Sequence, residues 1–193
     1  CAWPRAHAVR FWDAGWKDII LWGSKSYLRQ IIDQGFDGVY LDRVDIFDRF
    51  VETRPSARDE MIDFVAEIAA TARALKPGFL NIPQNAEDLL HERRYRRVIA
   101  GLGKEDLLYG HTGTGVRNPD EGIDWSRKLM RKLLDDRKPV FAVEYLVTRE
   151  SIAEARAELE KLGLVPTFQH RSLDGSNPTM PRLRTDAEHG SPE

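Results

Sequence analysis

Over residues 16–34 the apolar positions recur at helical spacing: Ile19, Ile20, Trp22, Tyr27, Leu28, Ile31 and Ile32 fall mostly on one stripe. Gly35 stands where a C′ glycine would stop that helix. A short apolar run follows at residues 39–41 and reads as a buried strand finishing on Asp42. The same alternation then repeats. Ser56 is placed to cap a helix whose stripe is Met61, Phe64, Val65, Ile68, Ala69 and Ala72, ending before Pro77-Gly78. "FLNIPQN" is a second strand, residues 86–97 a short helix, and "RVIAGLGKEDL" a third strand. Residues 125–135 read as a helix and "KPVFAVEYL" as a fourth strand. Ser151 is placed to cap a helix that Gly163 closes, and "VPTFQHR" is the fifth strand.

Strand and helix in strict alternation imply right-handed parallel crossovers, with all the strand carboxyl ends on one face. Asp42, Asn85, Glu105, Glu144 and His170 are expected to converge there. Five strands are too few to close an eight-stranded barrel, which takes about 250 residues, and the chain opens on a helix that should follow a strand. The expected fold is therefore α/β, of the (β/α)8 TIM-barrel type but incomplete, with about five C-terminal β/α units and the first strands missing. The strand beginning at Val39 should then carry an unpaired edge. Residues 1–173 would form this partial barrel. Residues 174–193, polar and without periodicity, would be a loosely ordered tail.

Composition narrows the function. The 193 residues are 41% hydrophobic and 31% charged, the balance of one soluble globular domain. Lys plus Arg (29) nearly matches Asp plus Glu (31), so no basic field argues for nucleic acid or an anionic membrane. Cys1 is the single cysteine, which excludes an internal disulfide framework and a cysteine-based zinc site. No apolar run is long enough to span a membrane. The first residue is not Met, and further sequence upstream is expected. His111 and His170 lack a second ligand at metal spacing, so neither a metal nor a cofactor is expected. The phosphate-loop, G-x-S-x-G and H-E-x-x-H signatures are absent. "GHTGTG" (residues 110–115) follows Glu105 and Asp106, an acidic approach that disfavours phosphate and suits a mobile active-site loop.

The remaining chemistry is that of carboxyl groups. Two of them flanking a glycosidic bond can divide the work, one protonating the leaving oxygen while the other attacks or activates water. Asp42 and Glu105 have the right chemistry at the right strand ends. The plainer alternatives are a helix cap or Arg43 partner for Asp42, and a solvated loop acid beside Lys104 for Glu105. Glu144 ends an apolar run and needs a partner or an opening to water; a buried pair with an arginine is its plainer reading. Asp45 suits loop orientation or a hydroxyl contact. Gln84 and Asn85 can bond sugar hydroxyls or a catalytic carboxylate, or can close the loop as an Asx turn. Tyr109 and Tyr145 are natural substrate contacts, and Trp3, Phe11 and Trp12 are either a stacking surface or core.

"WPRAHAVRFWD", "GFDGVYLDRVD", "IPQN", "GKEDLLYG" and "VEYL", in that order, resemble glycoside hydrolase family 114, the endo-α-1,4-polygalactosaminidases. The similarity runs from Trp3 to about Leu173. Chains of this kind have also carried the label "cysteinyl-tRNA synthetase related", but no synthetase nucleotide motif is present. The resemblance implies a (β/α)8 barrel that cleaves α-1,4-linked galactosamine-rich polysaccharide through Asp42 and Glu105, with Asp45, Gln84, Asn85, Tyr109, Glu144 and Tyr145 in the substrate cleft. It also favours a secreted or extracytoplasmic setting. A cationic polymer suits a cleft with more acids than the chemistry needs. Where the family more often has "NGE" after "PQ", this chain has Asn85, Ala86 and Glu87, a small change unless that glycine needs positive φ. The competing expectation is a non-catalytic carbohydrate-binding or interaction protein built on a truncated barrel.

Overall fold

The computed structural model describes residues 7–172. The strands are β1 (Gly38–Leu41), β2 (Leu80–Pro83), β3 (Leu102–Glu105), β4 (Val140–Glu144) and β5 (Val165–Phe168). All of their pairings are parallel. β1 ladders with β2, and β3 with β4 and then β5. A parallel bridge between Gln84 and Gly103 joins the two groups. The strands thus form one arc in chain order. Among the described residues β1 is paired only with β2 and β5 only with β4, so the parallel array is open at both edges. The longer helices are α3 (Ala57–Leu75), α5 (Asp120–Asp135) and α6 (Arg149–Lys161), which pack on β2, β4 and β5 respectively.

The arc has two unlike faces, because side chains alternate along a strand. Leu102, Ala142 and Phe168 on the helix side are fully buried. On the other side Tyr40, Leu80 and Val165 are 50%, 47% and 49% exposed, so the concave face is open.

Several elements differ from expectation. The helix expected over residues 16–34 is broken into α1 (Ala14–Lys17), a π-helical turn (Asp18–Trp22) and α2 (Tyr27–Asp33). Gly23 leaves helical geometry at ψ 147, and Ser26 caps the new start by accepting from the Arg29 N–H at 3.4 Å. Ser56 does not cap α3, since its backbone is already right-handed helical. Thr148 rather than Ser151 caps α6, accepting from the Ser151 N–H at 3.2 Å. The helix expected over 86–97 is a 3-10 turn (Glu87–His91) and α4 (Arg93–Val98), separated by an extended Glu92. α5 starts five residues before the expected 125, where Pro119 with ψ 138 leads into Asp120 and Glu121 in its first turn. Trp3 and residues 174–193 lie outside the described residues.

Phe11 and Trp12 serve the core. Their rings meet edge to face at 4.9 Å, each packs on Phe50, and Arg54 lies 4.5 Å over Trp12.

Candidate active site

Register decides which side chains enter the concave face. Partners across a parallel ladder share a face, and β3 sets Glu105 opposite Val143. Glu105 and Val143 therefore face one way, Glu144 the other, and Tyr145 returns to the side of Glu105. Gln84, level with Gly103, belongs to the same face as Glu105. Asp42 and Tyr40 follow the same parity on β1, whose Leu41 carbonyl accepts from the Gln84 N–H at 2.8 Å.

Glu105 is gripped from both neighbouring strands. The Gln84 side-chain amide donates to Oε2 and the Tyr145 hydroxyl donates to Oε1. The Glu105 N–H in turn donates to Asn85 Oδ1 at 3.0 Å, and the Asn85 N–H donates to the Gly103 carbonyl at 2.7 Å. Gln84 and Asn85 thus fix the carboxyl and its backbone rather than closing an Asx turn. Asn85 and Ala86 are both left-handed, at φ 56 and 54, so the position where the family more often has glycine does require positive φ.

Asp42 lies one residue past β1 and is exposed; its Oδ1 accepts from the Arg43 N–H at 2.7 Å. The Arg43 guanidinium pairs with Asp45 at 4.0 Å instead of with Asp42. Tyr40 sits one step deeper on the same face. A Cβ on Gly103 would overlap its hydroxyl, so the phenol crosses β2 to lie at the foot of Glu105. Partial burial and then the charges of Glu105 and Asp42 push its pKa up to about 12, which keeps it a neutral donor.

Glu144 is sealed at 0% exposure on the opposite face of β4. Its Oε1 accepts from the Leu108 N–H at 2.8 Å and its Oε2 from the Tyr109 N–H at 3.2 Å, so it holds the loop after β3, and among the described residues no arginine pairs with it. Tyr109 packs under Arg117, whose guanidinium lies 5.8 Å from its ring centre. Burial pushes the Glu144 carboxyl up to about 7, against the pull of the loop amides and helped by Asp106. A carboxyl whose folded pKa exceeds its unfolded value stabilises the fold below the unfolded value and loses that contribution as pH rises. For Glu144 the window is about pH 4.5–7, with a loss of about 3 kcal/mol at 1.36 kcal/mol per unit. Urea unfolding of wild type and Glu144→Gln across pH 4.5–8 is expected to show this loss in the wild type alone. A wild-type-minus-variant difference that stays flat would refute it.

Beside Glu105 lies a cavity of about 300 Å³ whose wall includes Asp45, Asp48, Asn85, His111 and the half-exposed Trp125. Burial, then repulsion from Asp88 and Asp45, raises the pKa of Asp48, the signature of a crowded acidic wall. Beneath it, Lys104 Nζ is 3.1 Å from Glu87 Oε1, which also accepts from the Ser126 hydroxyl at 2.6 Å. Burial would raise the Glu87 carboxyl, but Lys104 and Ser126 hold it below its usual value. Among the described residues no group of His, Cys, Asp and Glu could hold a metal ion, and no helix is long and apolar enough to cross a membrane.

The structure therefore brings Asp42, Gln84, Glu105 and Tyr145 to one end and one face of the sheet, with Asn85 bonded to the Glu105 backbone and, like Asp45, on the adjoining cavity wall. It sets Glu144 and Tyr109 behind that face. Tyr40, Lys104 and Arg171 were not singled out from the sequence. For Tyr40 a signal existed: it stands two residues before Asp42 on a strand, hence on the same face.

Glycoside-hydrolase family GH114 matches residues 1–183. Three uncharacterised proteins are similar. That of Deinococcus radiodurans is 36% identical over 174 residues, 89% of this chain and 54% of its own length. That of Methanocaldococcus jannaschii is 36% identical over 180 residues, 89% and 48%. That of Thermotoga maritima is 41% identical over 114 residues, 56% and 34%. The chain thus spans about half or less of the length of these curated relatives. Among solved structures, the glycoside hydrolase domain of PelA from Pseudomonas aeruginosa superposes with TM-score 0.69 at 23% identity, covering 89% of this chain and 68% of that one. A glutamate-to-alanine variant of that domain gives 0.60 at 24%, covering 77% and 58%. Those two likenesses speak to the fold.

Proposed function

The chain belongs to glycoside-hydrolase family GH114, and from that premise we propose that it cleaves α-1,4-linked galactosamine-containing polysaccharide with Asp42 and Glu105 as the working pair. The observation that carries the reading is the grip on Glu105: donors from β2 and β4 meet its two oxygens on the face that Asp42 shares. A carboxyl fixed in this way is pre-set for proton transfer or attack at one place in the cleft. Asp42, on the opposite flank of β2, supplies the second carboxyl. One of the two protonates the glycosidic oxygen, and the other attacks the sugar carbon or activates water against it.

Substrate charge enters through the wall. Asp45 and Asp48 on the wall beside Glu105 favour cationic units, such as the ammonium groups of deacetylated galactosamine. Tyr40, kept protonated, offers a neutral hydrogen bond to a hydroxyl from the floor. The test is release of soluble oligosaccharide from partially deacetylated galactosaminogalactan by the full-length protein. Steady release that is lost on full re-acetylation supports the reading; tight binding without any new reducing ends sinks it in favour of a non-catalytic carbohydrate-binding role.

A further inference from the structure

Asp106, the residue after Glu105, and Arg171, three residues past β5, meet over β4. Arg171 Nη1 and Nη2 donate to Asp106 Oδ2 and Oδ1 at 3.2 and 2.6 Å. This is the forked pairing a planar guanidinium makes and an ammonium does not. The same guanidinium carbon lies 4.4 Å from the centre of the Tyr145 ring. Tyr145, 6% exposed, delivers its hydroxyl to Glu105. The ends of β3 and β5 are thereby tied together across β4, with the Tyr145 ring clasped between them.

The backbone is bent to permit this. Asp106 is left-handed at φ 51, a conformation uncommon outside Gly, Asn and Asp. Gly110 has φ 114, and a Cβ there would overlap both the Asp106 carboxyl and the Arg171 guanidinium. Two unusual backbone positions thus converge on one ion pair. The Arg171 side chain is 41% exposed and that of Asp106 21%, so the pair stays partly open to water. A backbone shaped to bring this fork onto the Tyr145 ring fits placement of a neighbour.

We infer that Arg171, with Asp106, is a positioning residue that seats the Tyr145 phenol on Glu105. Its kinetic consequence rests on the reading of Glu105 as a catalytic carboxyl; its geometric consequence does not. Without the fork, the Tyr145 ring loses its cover and the loop carrying Asp106 and Gly110 loses its anchor, so the hydroxyl leaves Glu105 for part of the time. The carboxyl is then held by Gln84 alone.

The experiment compares full-length wild type with Arg171→Gln, Arg171→Lys, Gly110→Ala and Tyr145→Phe. The first readout is the rate at which a water-soluble carbodiimide labels Glu105, located by peptide mass spectrometry. Loss of one hydrogen bond is expected to raise it about fivefold in each variant. Arg171→Gln in the Tyr145→Phe background should add nothing, since both act on one contact. The second readout is kinetic: kcat falls about tenfold or more in Arg171→Gln while KM stays within about twofold, and Lys does not rescue. Wild-type labelling in both Arg171→Gln and Gly110→Ala would overturn the inference. So would full recovery with Lys, or additive effects of Arg171→Gln and Tyr145→Phe. A wild-type protein that cleaves no polysaccharide would count against the proposed function alone, because the labelling still decides the clasp.

Discussion

Glu105→Gln is expected to lower turnover by about 10²–10⁴-fold while leaving the affinity for galactosamine polymer within about threefold of wild type. The substitution keeps the size of the side chain and one carbonyl oxygen to accept from Tyr145 or Gln84, so the cleft keeps its shape. It removes the charge and the transferable proton, which matter only as the glycosidic bond breaks. Asp42→Asn should do the same with still less structural effect, because Asp42 is exposed and its one bond is to the adjacent Arg43 N–H. Initial rates and binding isotherms on the same partially deacetylated polymer check both. Near-normal turnover in either variant would remove that residue from the chemistry. Glu144 offers no replacement for Glu105, since its carboxyl faces the helix side and is closed to solvent.

The strand ends were legible in the sequence and the faces were not. Short apolar runs followed by Asp42, Gln84 and Asn85, and Glu144 announced themselves, because a parallel α/β sheet puts its polar chemistry where the strands stop. "VFAVEY", however, is apolar at every position before the glutamate, as expected of a strand covered on both sides, so no period of two said whether Glu144 or Tyr145 turned inward. Only the register of Glu105 against Val143 settles that. The same blindness hid Arg171, which lies 65 residues from Asp106 in a segment read as strand. In the helical layer, the stripe over residues 16–34 continued across Gly23 and Ser26, and periodicity outweighed the weaker turn signal of those two residues. Ala86 is the converse case. The resemblance marked the position as one where glycine is commoner, and φ 54 supplies the physical reason.

Lys104→Met should destabilise the fold by about 3–5 kcal/mol, the cost of stranding one member of a buried ion pair. Lys104 and Glu87 are 7% and 6% exposed, and Glu87 would keep neutral donors, the Ser126 hydroxyl and its own backbone N–H, once the ammonium is gone. Burial would then push its carboxyl up without the ammonium to oppose it, or draw water into the layer between β3 and α5. The damage reaches the site by a short route, since Lys104 is the strand neighbour of Glu105 and Glu87 begins the turn that follows Asn85 and Ala86. Replacing both charges, as in Lys104→Met with Glu87→Gln, should restore most of the loss, because an apolar and a neutral polar group of similar volume carry no stranded charge. Urea unfolding of the two single variants and the double variant forms a mutant cycle. A coupling of about 2 kcal/mol or more is expected. If Lys104→Met costs less than about 1 kcal/mol, the value of a solvent-exposed pair, then Lys104 and Glu87 do not form the buried support of the cavity, and the wall that includes Asp45 and Asp48 must be held in place by its own loops.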